Sequence, residues 1–336
     1  MSTRPSAVPG SIVIKVQTVS LGRGGPSVSR IGLGMAALGR PAYITTGRAA
    51  DFGEDRSEGA FRRRSWEVLD AAYAAGIRYL DCARSYGSAE AFVAGWLARI
   101  RPDDVVVGSK WGYTYVGGWD PAAAVHEVKD HSLTTFERQH AESRALLGTH
   151  LRLYQVHSAT LDSGVLENRV LHETLARQRD LGLGLGITTS GPSQADTIRR
   201  ALEIRSGGEP LFGAVQATWN LLEPSVEPAL AEAAQAGWAV IVKEAVANGR
   251  LTARGDAGTP GSALGDAAEA AGTSSDALAI AAALARPWAS VVLSGAATVD
   301  QLQSNLRADG LRVPTLPDLA EPPVDYWGRR SRRAWL

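Results

Sequence analysis

Cysteine is almost absent from this chain: Cys82 is the only one in 336 residues. That excludes an intrachain disulfide framework and fits a reducing cytoplasm. Net charge is missing too. Lys plus Arg and Asp plus Glu number 35 each, so no global field draws the chain to nucleic acid or to an anionic membrane. No apolar run reaches the roughly 18–20 residues needed to cross a bilayer. The first ten residues hold Ser, Pro and Gly but no apolar secretory core, and 1–10 read as a disordered start. The common nucleotide loops are lacking as well. No phosphate loop ends in Gly-Lys-Ser/Thr, and Gly32 and Gly34 have no third glycine at the right offset. Gly182, Gly184 and Gly186 sit before and within a strand rather than opening a helix.

What the chain does have is apolar residues in a repeating order. They make up 45% of it, enough to bury a large core. Ile12, Ile14 and Val16 alternate with polar neighbours before a glycine-rich turn, so 11–29 read as a small hairpin. Short apolar runs follow at 31–34, 77–81, 104–108, 152–156, 183–187, 213–217, 239–243 and 290–293. Helical stretches fall near 62–75, 88–99, 134–147, 169–181, 193–205, 226–236 and 298–308. Runs such as Val105-Val106-Val107 are continuous rather than alternating, as in parallel strands covered on both faces. Eight such strands over about 300 residues predict a closed (β/α)8 TIM barrel capped by the N-terminal hairpin. A doubly wound open sheet is the alternative, and it lacks its fingerprint loop. The predicted organisation is a single domain over 11–310 and a separate tail over 311–336. The tail, with Arg329, Arg330, Arg332 and Arg333, reads as a solvated terminus; residues 40–60 read as a flexible loop over the barrel mouth.

In such a barrel the carboxyl ends of the strands face one shared mouth. Asp81 closes strand two, Lys110 follows strand three, His157 follows strand four, and Tyr86 hangs in the loop after strand two. Each alone has a mundane reading in packing or at the surface. Together they suit proton delivery. A phenol, with a reference pKa near ~10, is a poor acid at neutral pH, and a nearby ammonium favours its phenolate. A carboxylate keeps that ammonium charged and aimed, while an imidazole orients a carbonyl oxygen.

Those residues lie in Gly-Ile-Arg-Tyr-Leu-Asp-Cys-Ala-Arg-Ser-Tyr-Gly-Ser-Ala-Glu (76–90), Val-Gly-Ser-Lys (107–110) and Leu-Tyr-Gln-Val-His (153–157). With Leu21–Gly34 as an entry hairpin and first strand, the chain resembles the aldo-keto reductases from about Leu21 to about Ala308. The resemblance implies an NAD(P)H-dependent reductase of aldehydes or ketones, with sugar-like substrates among them. Its catalytic tetrad would be Asp81, Tyr86, Lys110 and His157. It also implies cofactor contacts at Gln216 for the nicotinamide amide, and at Gln301 and Asn305 for the adenosine end. Thr188 and Thr189 stand where the family usually shows Ser-Asn, and Lys243-Glu244-Ala245 replaces an apolar or Ser-Pro segment. Gly295 and Gln301 occupy positions where some branches place a Lys and an Arg. The expectation of NADPH over NADH therefore rests on family habit.

Trp111 and Trp219 are the expected substrate wall, with Tyr113, Tyr115 and Trp119 in the long loop after strand three divided between substrate and rim packing. No metal site is assigned: His126 and His131 are five residues apart, about 140° on a helix. Beyond a small carbonyl substrate no partner is implied. Two further readings compete with the reductase. The family includes barrels that act as cofactor-sensing subunits of membrane channels. A Schiff-base lyase would instead use Lys110 as its nucleophile.

Overall fold

The computed structural model describes residues 16–46 and 51–335. The expected disordered start at 1–10, together with Ile12 and Ile14, lies outside the described residues. Eight parallel strands close a barrel in sequence order. They are β1 (Ile31–Gly34), β2 (Tyr79–Asp81), β3 (Val106–Trp111), β4 (Leu151–Ala159), β5 (Gly184–Thr189), β6 (Ala214–Thr218), β7 (Ala239–Lys243) and β8 (Val291–Ser294). All eight predicted strands are present, shifted by at most a few residues. The hairpin of Thr18–Ser20 and Ser27–Ser29 pairs antiparallel and caps one end. Its Leu21 and Val28 pack on Tyr79, Val106, Ala239 and Val291 near the strand starts. Apolar packing seals the barrel floor.

The helices between strands are α1 (Glu58–Ala74), α2 (Ala89–Ile100), α3 (Leu133–Leu147), α4 (Arg169–Asp180), α5 (Gln194–Leu202) and α6 (Glu227–Gln235). Polar caps start several of them. Ser57, Ser132 and Asn168 each accept from a first-turn amide, at 3.2, 3.2 and 3.1 Å. Two further helices, α7 (Ala263–Ala270) and α8 (Ser275–Leu284), stand between β7 and β8, where the sequence pattern gave no helix. Nine of the ten residues of α8 are buried, all but Asp276, so the helix has almost no polar face and no amphipathic period to read. After β8, α9 (Val299–Leu306) opens on Thr298, whose side chain accepts from the Gln301 amide at 3.2 Å.

The tail corrects the sequence reading. Residues 323–331 form α10 (Pro323–Ser331), which packs into the same body as the barrel. Its Tyr326 and Trp327 are buried with Leu222, Leu251, Leu264 and Leu278. Burying two such aromatics stabilises by about 1.5–3 kcal/mol each, which a solvated terminus would forgo. Among the described residues no helix is long and apolar enough to cross a membrane.

Candidate active site

Strand alternation aims Lys110 inward, and there it is saturated. Its ammonium pairs with the Asp81 carboxylate, donates to the Cys82 carbonyl at 2.9 Å and donates to the Tyr86 hydroxyl oxygen at 3.2 Å. That uses all three ammonium donors and leaves the Tyr86 O–H free to donate elsewhere. The second Asp81 oxygen accepts from the Gln216 side-chain amide at 2.7 Å. Sequence reasoning expected the ammonium to lower the Tyr86 pKa. In the folded site, burial instead pushes the phenol well above its ordinary value, with Asp81 adding to the rise and Arg40 opposing it. Tyr86 is thus protonated at neutral pH, the state an acid needs.

His157 ends the inward row on β4. A register shift between Val156 and Ala159, with Ser158 at φ 50°, turns the chain beside it. Bulges of this kind re-aim side chains next to active sites. The Thr188 hydroxyl accepts from the Ser158 amide at 2.7 Å and ties the bulge to β5. Burial, followed by the cations Lys110, Arg40 and Lys243, holds the imidazole pKa well below its usual value. A neutral ring offers one N–H donor. The His157 ring meets the Tyr86 ring edge-on at 5.6 Å, and its Nδ1 lies 3.4 Å from the Ser85 hydroxyl.

A cavity of about 580 Å³ opens over this group. Asp81, Tyr86, His157, Thr188 and Gln216 line one end, and Gly295, Gln301 and Asn305 line the other. Asn305 is held at both ends of its amide: it accepts from the Ser294 hydroxyl at 2.7 Å and donates to Asp276 at 2.6 Å. The Gln301 side-chain oxygen accepts from the Ala297 amide at 2.8 Å.

Lys110 is fully buried and supports the lining residues Asp81 and Tyr86 without itself lining the cavity, and three further expected site residues turn away from it. Thr189 is buried with its hydroxyl on Gln194 at 3.3 Å. Trp111 packs its ring on Phe136 at 5.1 Å and His131 at 5.7 Å. Trp219 donates to Glu227 at 3.1 Å and meets Trp288 at 5.7 Å. One rule explains all three. Each is the neighbour of an inward residue (Thr188, Lys110 or Thr218), and successive strand side chains face opposite ways. Tyr113 lines the cavity, whereas Trp119 packs on Phe61 at 5.4 Å. Among the described residues no cluster of His, Cys, Asp and Glu could hold a metal. His126 stacks on Trp335 at 4.5 Å, and the His131 ring bonds the His157 carbonyl at 2.9 Å.

The roof of the cavity carried no readable motif. Arg40 and Tyr43 come from the loop after β1, and Glu127 from a hairpin of Tyr113–Tyr115 with Glu127–Lys129. Arg330 of α10 grips Glu244 with two nitrogens, one at 2.9 Å from its carboxylate. Burial alone would raise the Glu244 carboxyl, but Arg330 and Lys243 outweigh it and hold the group at about 2. Lys243 donates to the Thr218 hydroxyl at 2.7 Å, and burial brings its ammonium down to about 8. The one signal for this pair in the sequence was the unusual Lys243-Glu244 itself.

Comparison with known proteins bears on the family and the fold. Residues 30–314 match the profile of the Aldo/keto reductase family. The Aldo-keto reductase str7 of Strobilurus tenacellus is 33% identical over 113 residues, which are 33% of this chain and 30% of that protein. The matched part thus spans under a third of that relative. Among solved structures, the holo form of the aldo-keto reductase AKR11C1 from Bacillus halodurans superposes with a TM-score of 0.68 at 22% identity. The match covers 94% of this chain and 96% of that one. The PA4992 protein of Pseudomonas aeruginosa gives 0.64 at 23% identity, over 90% and 99% of the two chains. At these identities the two structures speak to the fold.

Proposed function

The chain belongs to the aldo/keto reductase family, and from that premise we propose that it reduces a small, hydroxyl-bearing aldehyde or ketone to an alcohol with NADPH. The observation that carries this reading is the Lys110 ammonium bridging Asp81 and the Tyr86 oxygen, two groups that line the cavity. A bound nicotinamide dinucleotide supplies the hydride. The Tyr86 O–H gives its proton to the carbonyl oxygen, and Lys110 stabilises the phenolate left behind. Neutral His157 donates its N–H towards the same oxygen and orients the carbonyl.

The cavity lining supports a dinucleotide. Gln216 and Thr188 lie beside the tetrad, Gly295 and Gln301 lie around the start of α9, and Asn305 lies in its last turn. A helix start is a favourable place for phosphate. Arg254 and Arg333 line the cavity and favour a phosphate on the ribose; Asp276 and Asp300 line it too and favour a free hydroxyl. We expect NADPH to bind more tightly, with NADH accepted. On the substrate side, Tyr43, Tyr113 and Trp335 offer aromatic faces, and the Arg40–Glu127 pair offers polar groups without net charge. That combination suits a neutral sugar-like carbonyl. A lone buried Cys82 is compatible with work in a reducing cytoplasm.

The lyase reading has little support, because an ammonium tied to Asp81 and two oxygens has no free electron pair for attack. The test is to add DL-glyceraldehyde, D-xylose and 4-nitrobenzaldehyde to purified protein with NADPH and follow absorbance at about 340 nm. Aldehyde-dependent oxidation is the expected result. NADPH binding without turnover of any probe would favour a sensing subunit, and a borohydride-trapped adduct on Lys110 would favour the lyase.

A further inference from the structure

The Tyr86 ring has two cations close to it, and the mechanism above uses only one. Lys110 Nζ lies 4.6 Å from its centroid, and Arg40 Cζ lies 5.0 Å away. Arg40 is 2% exposed. Its Nη1 donates to the Ser85 carbonyl at 3.1 Å and to the Glu127 carboxylate. The Trp335 ring lies 4.6 Å from the guanidinium carbon and covers it. Two glycines make this approach possible. A Cβ on Gly39 would fall 2.3 Å from the Tyr86 carbonyl, and one on Gly87, at φ +58°, would fall 2.5 Å from the Gly39 carbonyl. The Ser88 amide also donates to that Gly39 carbonyl at 2.8 Å. The loops carrying Arg40 and Tyr86 therefore dock backbone to backbone.

We propose that Arg40 is a positioning residue for proton transfer, a second cation that stabilises the phenolate as Tyr86 gives its proton to the carbonyl oxygen. The inference rests on Tyr86 as the donor. In that step the Tyr86 O–H bond breaks and an O–H bond forms on the former carbonyl oxygen, while hydride adds to its carbon. A guanidinium over the ring attracts a phenolate more strongly than a phenol. Glu127 holds the guanidinium from the hairpin, and the guanidinium carbon lies 4.8 Å from the Tyr43 ring centroid and 5.0 Å from that of Tyr86.

Other charged groups also face the phenol. Asp81, Glu127 and Glu244 raise its pKa and Arg40 lowers it, beside Lys110 and a neutral His157. Tyr43 and Tyr79 are buried phenols nearby, both themselves shifted upward. Lys243, at about 8, titrates within an assay range. It is common to every variant below, so differences between variants isolate Arg40.

The test is the pH dependence of kcat for NADPH-dependent reduction of DL-glyceraldehyde by wild type, Arg40→Lys, Arg40→Gln and Trp335→Ala. Loss of the cation makes Tyr86 a weaker acid. Arg40→Gln should lower kcat about tenfold at pH 7 and move the alkaline fall upward by about one pH unit. NADPH affinity should hold, and Arg40→Lys should recover most of the change. Trp335→Ala should move the limb the same way by less, and it keeps the proposal testable if Arg40→Gln folds poorly. A damaged fold would lower kcat at all pH values without moving the limb. Equal losses in Arg40→Lys and Arg40→Gln with an unmoved limb would overturn the proposal. Wild type that binds NADPH but turns over no probe would remove the Tyr86 reading and this inference with it, a result distinct from an active wild type with an unmoved limb.

Discussion

On the barrel wall, Asp81, Lys110 and His157 stand on neighbouring strands, and the parallel ladder fixes their spacing. On the roof, Arg40, Glu127, Glu244 and Arg330 come from four segments distant in the chain, held largely by side-chain ion pairs. In the proposed reaction the wall's charges carry the chemistry, and a rigid frame holds them. The roof needs its charges to exist as a roof. Damage to the wall should therefore appear in turnover as well as in stability, and damage to the roof in a smaller stability loss, substrate affinity and pH dependence.

The sharpest break is on the wall. Lys110→Met leaves Asp81 buried without its cation, and removing one partner of a buried pair typically costs about 3–5 kcal/mol. Thermal unfolding should show that loss, with aldehyde reduction falling at least about a hundredfold. On the roof, Glu244→Gln strands Arg330, whose side chain is about a quarter exposed. About 2 kcal/mol of stability should go, less than for a fully buried pair, with KM rising more than kcat falls. Calorimetry and steady-state kinetics would separate the two variants.

Acid and alkali should probe the roof with opposite signs. Arg330 and Lys243 overcome burial to hold the Glu244 carboxyl at about 2, against an ordinary 4.5. Its depressed folded value gives stability that is present above about 4.5 and lost as pH falls through about 2. Burial brings Lys243 down from 10.5 to about 8. Between those values the unfolded chain binds more protons, so stability should rise with pH. Denaturant midpoints across both windows should flatten at the acid end in Glu244→Gln and at the alkaline end in Lys243→Met. The smallest effect should be Thr189→Val, since that hydroxyl faces Gln194 rather than the cavity. NADPH affinity should change less than threefold, about 0.6 kcal/mol, whereas Thr188→Val loosens the bulge beside His157.

The same contrast explains what could be read from the chain. Continuous apolar strands have a period and a length, so the barrel was legible, and with it the meeting of Asp81, Tyr86, Lys110 and His157 at the strand ends. Trp111, Thr189 and Trp219 were misplaced because proximity in sequence to Lys110, Thr188 and Thr218 is not proximity in space on a strand. Helix α8 was invisible because burial of all but Asp276 left it almost no polar face. Arg40 and Arg330 look like any surface arginine until the fold supplies Glu127 and Glu244, which lie 87 and 86 residues away in the chain.

The most direct measurement pairs wild type with Tyr86→Phe, following NADPH binding by fluorescence and aldehyde-dependent NADPH oxidation on the same preparations. Removing only the hydroxyl should leave the dissociation constant within about threefold and lower kcat by about a hundredfold or more. A Tyr86→Phe protein that still turns over aldehyde at the wild-type rate would contradict the account.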